Sequence, residues 1–268
     1  MHTPDSGGTR ADDVQGSRRL SLATRASIYF RLLAIQSSWN YEILLGNDIG
    51  FCMEPALQQL PGGKDGAAYR DALARQTHYF NSHPYLAGVA VGALARAELD
   101  GEPPATIERF RTALCGPLGS LGDRLVWASW LPACSLLALA AFGLGAGPLL
   151  SLLVFLVPYN LGHLALRAWG LHVGATRGLR VASALAAPWL RRGPEWIGRA
   201  GAALAGLAIP LALYRIAGDT TISFAGFGVV LVLAVLGGGA LLRLPARLEG
   251  WRVAIVALAV YVLLSTLR

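Results

Sequence analysis

Apolar positions follow two patterns along this chain. Up to about residue 125 they recur at helical spacing and are broken by polar and charged residues. Beyond it they merge into runs long enough to cross a bilayer. Over 26–45, Tyr29, Leu32, Leu33, Ile35, Trp39, Ile43 and Leu44 form a broad apolar surface interrupted by Arg31, Gln36, Asn40 and Glu42. This spacing predicts a helix with Gln36 and Asn40 one turn apart on one face and Trp39 beside them. It is too polar for an isolated span and suits a helix buried in a membrane complex or lying at its interface. Further helical pieces are predicted over 49–60, 67–80, 85–99 and 105–114. Loops at 61–66, 81–84 and 100–104 separate them, and Pro84 forces His83 out of helical geometry.

Five spans are predicted after this, over 126–144, 149–166, 200–214, 222–242 and 253–267. Gly145 to Pro148 reads as a tight hairpin, 181–190 as an interfacial or half-spanning piece, and Pro210 as a late break in the third span. The expected architecture is an all-α integral membrane protein. A disordered cytoplasmic tail over 1–24 precedes amphipathic helices and hairpins over 25–125, and the transmembrane spans fill 126–268. Residues 1–24 lack the apolar core of a signal peptide. The stretch 114–127 is the junction, with Gly116, Pro117, Gly119 and Gly122 followed by Asp123. It reads as a site of close helix packing or an irregular turn, and Asp123 as either a helix N-cap or a polar group on a pathway through the membrane.

Charge strengthens this division. Charged residues are 15% of the chain, against about 25% in soluble domains. Residues 1–125 hold 25 of the 39, and the apolar part carries 11 arginines and only 3 acids. Basic residues there flank membrane spans, which argues against a nucleic-acid face. Their distribution places the N-terminal side, Arg124 and the 167–199 segment in the cytoplasm and the hairpin at 145–148 outside, with Arg215 as the exception.

The chemistry-bearing residues do not form a catalytic set. The glycine series ends Gly122, Asp123, Arg124, which lacks the lysine and hydroxyl of a phosphate loop. Three cysteines and five histidines show no metal-ligand spacing, and no catalytic residue, metal or cofactor is expected. Gln36, Asn40 and Glu42 have the hydrogen-bonding groups, and Trp39 the ring, of a sugar-binding surface, though on the residues alone the solvated face of an amphipathic helix is the favoured reading.

Four stretches together resemble one family. The run from Gln36 through Trp39 and Asn40 to Glu42 resembles the Gln-x-Ser-Trp-Asn-Phe/Tyr-Glu signature of the IID component of mannose-type phosphotransferase sugar permeases. Phe80 to Tyr85, with His83 and Pro84, resembles its Phe-Asn-Thr-His-Pro-Tyr. Gly116 to Asp123 resembles its Gly-Pro-Leu-Ala-Gly-Ile-Gly-Asp, and Tyr159-Asn160 with Gly170 and Gly174 its later elements. The resemblance implies a subunit of a hetero-oligomer in the bacterial inner membrane, with a IIC partner, IIA and IIB phosphocarriers that hold the phosphorylated histidines, and a hexose-type sugar. It implies that Gln36, Trp39, Asn40, Glu42 and Asp123 lie near the sugar path or the partner interface. His83, Pro84, Tyr85, Gly116, Pro117, Gly119 and Gly122 are then structural. Arg124 and Ser120 depart from the family pattern, and a non-transporting membrane regulator or scaffold is the alternative.

Overall fold

A computed structural model describes residues 20–217; the two predicted spans at 222–242 and 253–267 lie outside the described residues. Among these the chain is helical, and the only β-type pairings are isolated bridges of Leu44 with Asn40 and with Phe80.

The first helix, α1 (Leu22–Leu32), is capped by the Ser21 hydroxyl, which accepts from the Thr24 amide. The helix predicted over 26–45 stops at Leu32. Short polar side chains end it by offering the backbone other partners. Buried Asp48 accepts from both hydroxyls of Ser37 and Ser38 and from the Ser38 amide. The Asn40 side-chain Oδ1 accepts from the amides of Glu42 and Ile43. Gln36 and Asn40 therefore lie in a folded loop and share no helix face. Leu44 closes the loop in the left-handed region at φ +51°. It is held there by paired backbone bonds, Leu45 N–H to Phe80 O and Phe80 N–H to Ile43 O.

Helices α2 (Gly46–Leu57) and α3 (Ala67–Gln76) follow. Glu54 ties this part together, pairing with Arg31 of α1 at 2.7 Å and Lys64 of the intervening turn at 3.3 Å. Next comes α4 (Ala87–Leu99), in which every residue except Arg96 is buried. It is a helix of small residues because it crosses another backbone at close range. An added Cβ on Gly92 would lie 2.6 Å from Ala175 N and Leu171 O of the later helix Pro148–Arg177, and one on Gly174 would lie 2.8 Å from Ala93 N. Gly88 with Gly92 and Gly170 with Gly174 thus form facing small-residue pairs, the arrangement that lets helices in membranes approach closely.

The chain then runs as one long helix: α5 (Pro104–Gly122), a π-helical segment (Asp123–Trp130) and α6 (Leu131–Gly143). The irregular turn, one of the two readings of the 114–127 stretch, is not found there, because the stretch is helical. Asp123 has helical dihedrals (φ −60°, ψ −45°) and is not an N-cap. Gly116 and Gly119 face open space, so of the three glycines only Gly122 serves close packing. The irregularity is instead the π segment, which ends just before Pro132. A proline lacks the N–H that the preceding turn would use, and a π bulge accommodates the mismatch. The Ser129 hydroxyl donates to Arg124 O and to Pro194 O, which satisfies a carbonyl there and ties the segment to the helix Pro188–Ala217.

A turn at Gly145 (φ +105°) leads into α7 (Pro148–Arg177). A 3-10 turn (Gly178–Arg180) and the short α8 (Ala182–Leu185) precede α9 (Pro188–Ala217). The predicted half-spanning piece at 181–190 is therefore a turn and the start of a long helix, and α9 runs through Pro194 and Pro210 without ending. Arg215 donates to Phe142 O and Ala146 O and covers the Phe142 ring. The exception to the arginine distribution is thus a cation capping the end of α6. Three helical stretches, Pro104–Gly143, Pro148–Arg180 and Ala182–Ile216, are long and apolar enough to cross a membrane.

Candidate functional site

Two segments far apart in sequence meet at one cavity of about 450 Å³. The turn before α4 supplies Tyr79, Asn81, Ser82, His83 and Pro84. The α5–π helix supplies Cys115, Gly116, Gly119, Ser120, Asp123 and Trp127. Gly122 makes the meeting possible, since a Cβ there would overlap the His83 side chain.

His83 is 2% exposed and is fixed on several sides. Its Nδ1 accepts the Tyr85 amide at 3.1 Å, and the rings of Tyr85 and Trp127 stand edge-to-face at 5.0 and 5.9 Å. Burial, with the nearby Arg167 charge adding to it, pushes the imidazole down to about 4, so the ring is neutral near pH 7. Asp123 and Trp127 are exposed on the other wall. Asp123 makes no hydrogen bond or ion pair with any described residue, an expensive state for a carboxylate on a membrane helix unless something else meets it.

Behind the cavity lies a polar and aromatic cluster on α7. Tyr85 and Tyr159 share a hydroxyl bond of 2.7 Å, and His163 stacks on Tyr85 at 4.9 Å and bonds Asn160 at 2.9 Å. Arg167, 4% exposed, meets His163 at 2.8 Å, donates from Nε to Leu32 O at 3.0 Å and lies 4.4 Å over the Tyr85 ring. Its charge is thus held by the carbonyl end of α1 and a ring face. Arg111, also buried, caps α3 in the same way through the carbonyls of Gln76, His78 and Tyr79.

The residues singled out in the sequence divide between these places. His83, Pro84, Gly116, Gly119 and Asp123 line the cavity; Gly122 packs at its edge, and Tyr85 joins it to the α7 cluster. Pro117 lies within α5. Gln36, Trp39, Asn40 and Glu42 do not line it. Gln36 and Glu42 are exposed, Trp39 stands edge-on to Tyr41 at 4.7 Å, and Asn40 holds its own turn. Sequence reasoning missed Arg167 and Arg111 as internal cations. An arginine directly after an apolar run was the available signal for Arg167, and it was assigned to a basic loop. Among the described residues no group of His, Cys, Asp and Glu is placed to hold a metal ion.

These features define an all-helical integral membrane protein with a polar cavity beside its first long helix. Residues 19–198 match the family model described as the PTS system mannose/fructose/sorbose family IID component, and the chain belongs to that family. It is 28% identical over 204 residues to the PTS system mannose-specific EIID component of Escherichia coli (strain K12), covering 73% of this chain and 68% of that protein. It is 32% identical over 202 residues to the PTS system sorbose-specific EIID component of Klebsiella pneumoniae, covering 72% and 69%. Two solved structures share the fold. One is described as "Structure of membrane protein" (TM-score 0.69, 20% identity). The other is the cryoEM structure of the mannose transporter ManYZ in complex with microcin E492 (TM-score 0.54, 23% identity). Each match covers 91% of this chain and 96% of the other.

Proposed function

We propose that this chain is the IID subunit of a mannose-type sugar permease of a bacterial cytoplasmic membrane. With a IIC partner it forms the path through which a hexose-type sugar enters while IIA and IIB proteins phosphorylate it. The observation that carries this reading is the cavity, where two motif-bearing segments of the chain converge on an unpaired carboxylate, an amide, an imidazole and an exposed indole. Such a wall of hydrogen-bonding groups and an aromatic platform suits a polyhydroxylated ligand.

Arginine placement supports a cytoplasmic N-terminal side. Arg177, Arg180, Arg191 and Arg192 gather at the connection between α7 and α9, and the Gly145 turn lies at the other end of α7. Phosphotransfer belongs to the IIA and IIB partners, so this subunit has no catalytic role of its own.

The test is copurification of the tagged chain with a IIC subunit, followed by uptake of mannose, fructose and sorbose in cells with and without the chain. Copurification with chain-dependent uptake supports the reading. Copurification without uptake of any of the three replaces it with a membrane scaffold.

A further inference from the structure

The fold leaves one buried donor of a cavity-lining residue unused. The His83 Nδ1 accepts the Tyr85 amide, and an imidazole nitrogen that accepts carries no proton. In the neutral ring the proton therefore sits on Nε2. That atom is closed to water and has no partner among the described residues. A buried donor left without an acceptor costs about 1–3 kcal/mol. Such a group in a native fold calls for an explanation, and a ligand that satisfies it is one. The same cavity holds a carboxylate, Asp123, that accepts from no described residue.

Resting on the permease reading above, we propose that His83 and Asp123 form a donor–acceptor pair that reads neighbouring hydroxyl groups of the sugar. His83 Nε2–H donates to one hydroxyl oxygen and Asp123 accepts from another hydroxyl. His83 is then a ligand-binding and specificity-determining residue as well as a turn residue. The Trp127 ring stands edge-to-face on the imidazole and is 58% exposed, so it offers the ligand an apolar face, and the pair forms when a side-chain rearrangement brings the buried Nε2 into contact with the cavity. A site built to hydrogen-bond a hydroxyl strongly rejects the analogue that lacks it, because its own polar groups are then left unpaired.

The experiment uses the full chain purified with its IIC partner and measures equilibrium binding of mannose, fructose and sorbose. For the sugar that binds, a series of monodeoxy analogues follows. His83→Asn keeps an acceptor where Nδ1 was and removes the donor at Nε2. His83→Gln reaches the Nε2 position and gives up the turn contact. The pair predicts at least tenfold weaker binding in His83→Asn with an unchanged melting temperature. It predicts partial recovery of affinity in His83→Gln with a lower melting temperature. One monodeoxy analogue binds the wild type at least tenfold more weakly than the parent sugar, and this difference shrinks in His83→Asn.

Binding by His83→Asn within twofold of wild type overturns the pair, as does a monodeoxy series flat within twofold in the wild type. Should His83→Asn fail to accumulate, the wild-type series alone decides. Absence of binding of all three sugars to the wild-type complex removes the permease reading itself, a result distinct from unchanged affinity in His83→Asn.

Discussion

Gly122 and His83 occupy touching positions with no room for a side chain between them: a Cβ on Gly122 would lie 2.5 Å from His83 Cγ and would overlap the His83 Cβ. The contact joins the turn before α4 to the long α5–π–α6 helix, and it places Asp123 on the wall of the cavity that His83 also lines. A single missing methyl group thus sets the spacing of the site.

Gly122→Ala should therefore lower stability by about 2–4 kcal/mol, because a backbone and an imidazole ring must separate. Gly116→Ala and Gly119→Ala, where a Cβ meets nothing, should leave stability unchanged or raise it by up to about 1 kcal/mol through helix propensity. Melting temperatures of the three variants in one detergent check this. Equal effects of Gly122→Ala and Gly119→Ala would refute the contact.

The α4–α7 crossing gives a second, independent expectation. Gly92→Ala and Gly174→Ala each press a methyl group against the opposite backbone, at 2.6 Å from Leu171 O and 2.8 Å from Ala93 N respectively. Each should cost about 2–4 kcal/mol. Adding the second substitution should cost less than the first, since the helices have already moved apart. A double-mutant cycle on thermal stability measures it, and strict additivity would show that the two glycines do not share one interface.

The long apolar runs were legible because three helices in lipid need little beyond length and composition. The family signature was legible for a different reason, since four short motifs in order are specific. What failed was the 36–42 loop. Helical spacing of Leu32, Ile35 and Trp39 pointed to a continuing helix, yet the Asp48 carboxylate takes the Ser38 amide, with the Ser37 and Ser38 hydroxyls donating to it, and the Asn40 Oδ1 takes the amides of Glu42 and Ile43. The junction at 116–127 misled in the opposite direction. Three glycines and a proline suggested an irregular turn, but Pro117 and the glycines all sit inside a continuous helix, and the disturbance is the π-helical segment Asp123–Trp130 that begins directly after Gly122. The cavity could not be read from the chain because it depends on 79–84 and 115–127 meeting in space.

Glu54 gives a pH dependence in the acid range. The Arg31 guanidinium, followed by Lys64, holds its carboxyl below the ordinary value of 4.5 against the opposing effect of burial. A carboxylate with a lowered folded-state value contributes stability above the unfolded-state value, about 4.5, and loses it as pH falls through the folded-state value. Glu54→Gln should thus be less stable than wild type near pH 7 and converge with it as pH falls below 4.5 and through the lowered folded-state value. The difference should stay near 1 kcal/mol because the carboxylate is partly exposed. Melting curves between pH 3 and pH 7 check it, with a constant gap as the contrary result.

His83 produces a separate and larger dependence at higher pH. Its folded-state value of about 4 lies below the ordinary 6.5, so the unfolded chain takes up a proton first as pH falls. Stability is full above about pH 6.5 and declines toward pH 4, by up to about 3 kcal/mol. His83→Asn should flatten this part of the curve. Parallel melting profiles of wild type and His83→Asn through that range would contradict it.

Asp123 and Asn40 separate a role in the path from a role in the fold. Asn40 caps its own turn through two backbone amides, so Asn40→Ala should cost about 1 kcal/mol and lower the amount of protein in the membrane. Uptake per molecule should hold. Asp123 makes no bond to any described residue, is exposed, and lines the cavity. Asp123→Asn keeps its size and removes only the charge, so stability should stay within about 0.5 kcal/mol of wild type. Sugar uptake per molecule should drop at least tenfold, with the loss concentrated in the apparent affinity, because the carboxylate accepts from a sugar hydroxyl more strongly than a neutral amide does. Uptake kinetics normalised to membrane protein level distinguish the two residues. Unchanged uptake in Asp123→Asn would take this carboxylate out of the path, and with it the strongest reason to place the path at this cavity.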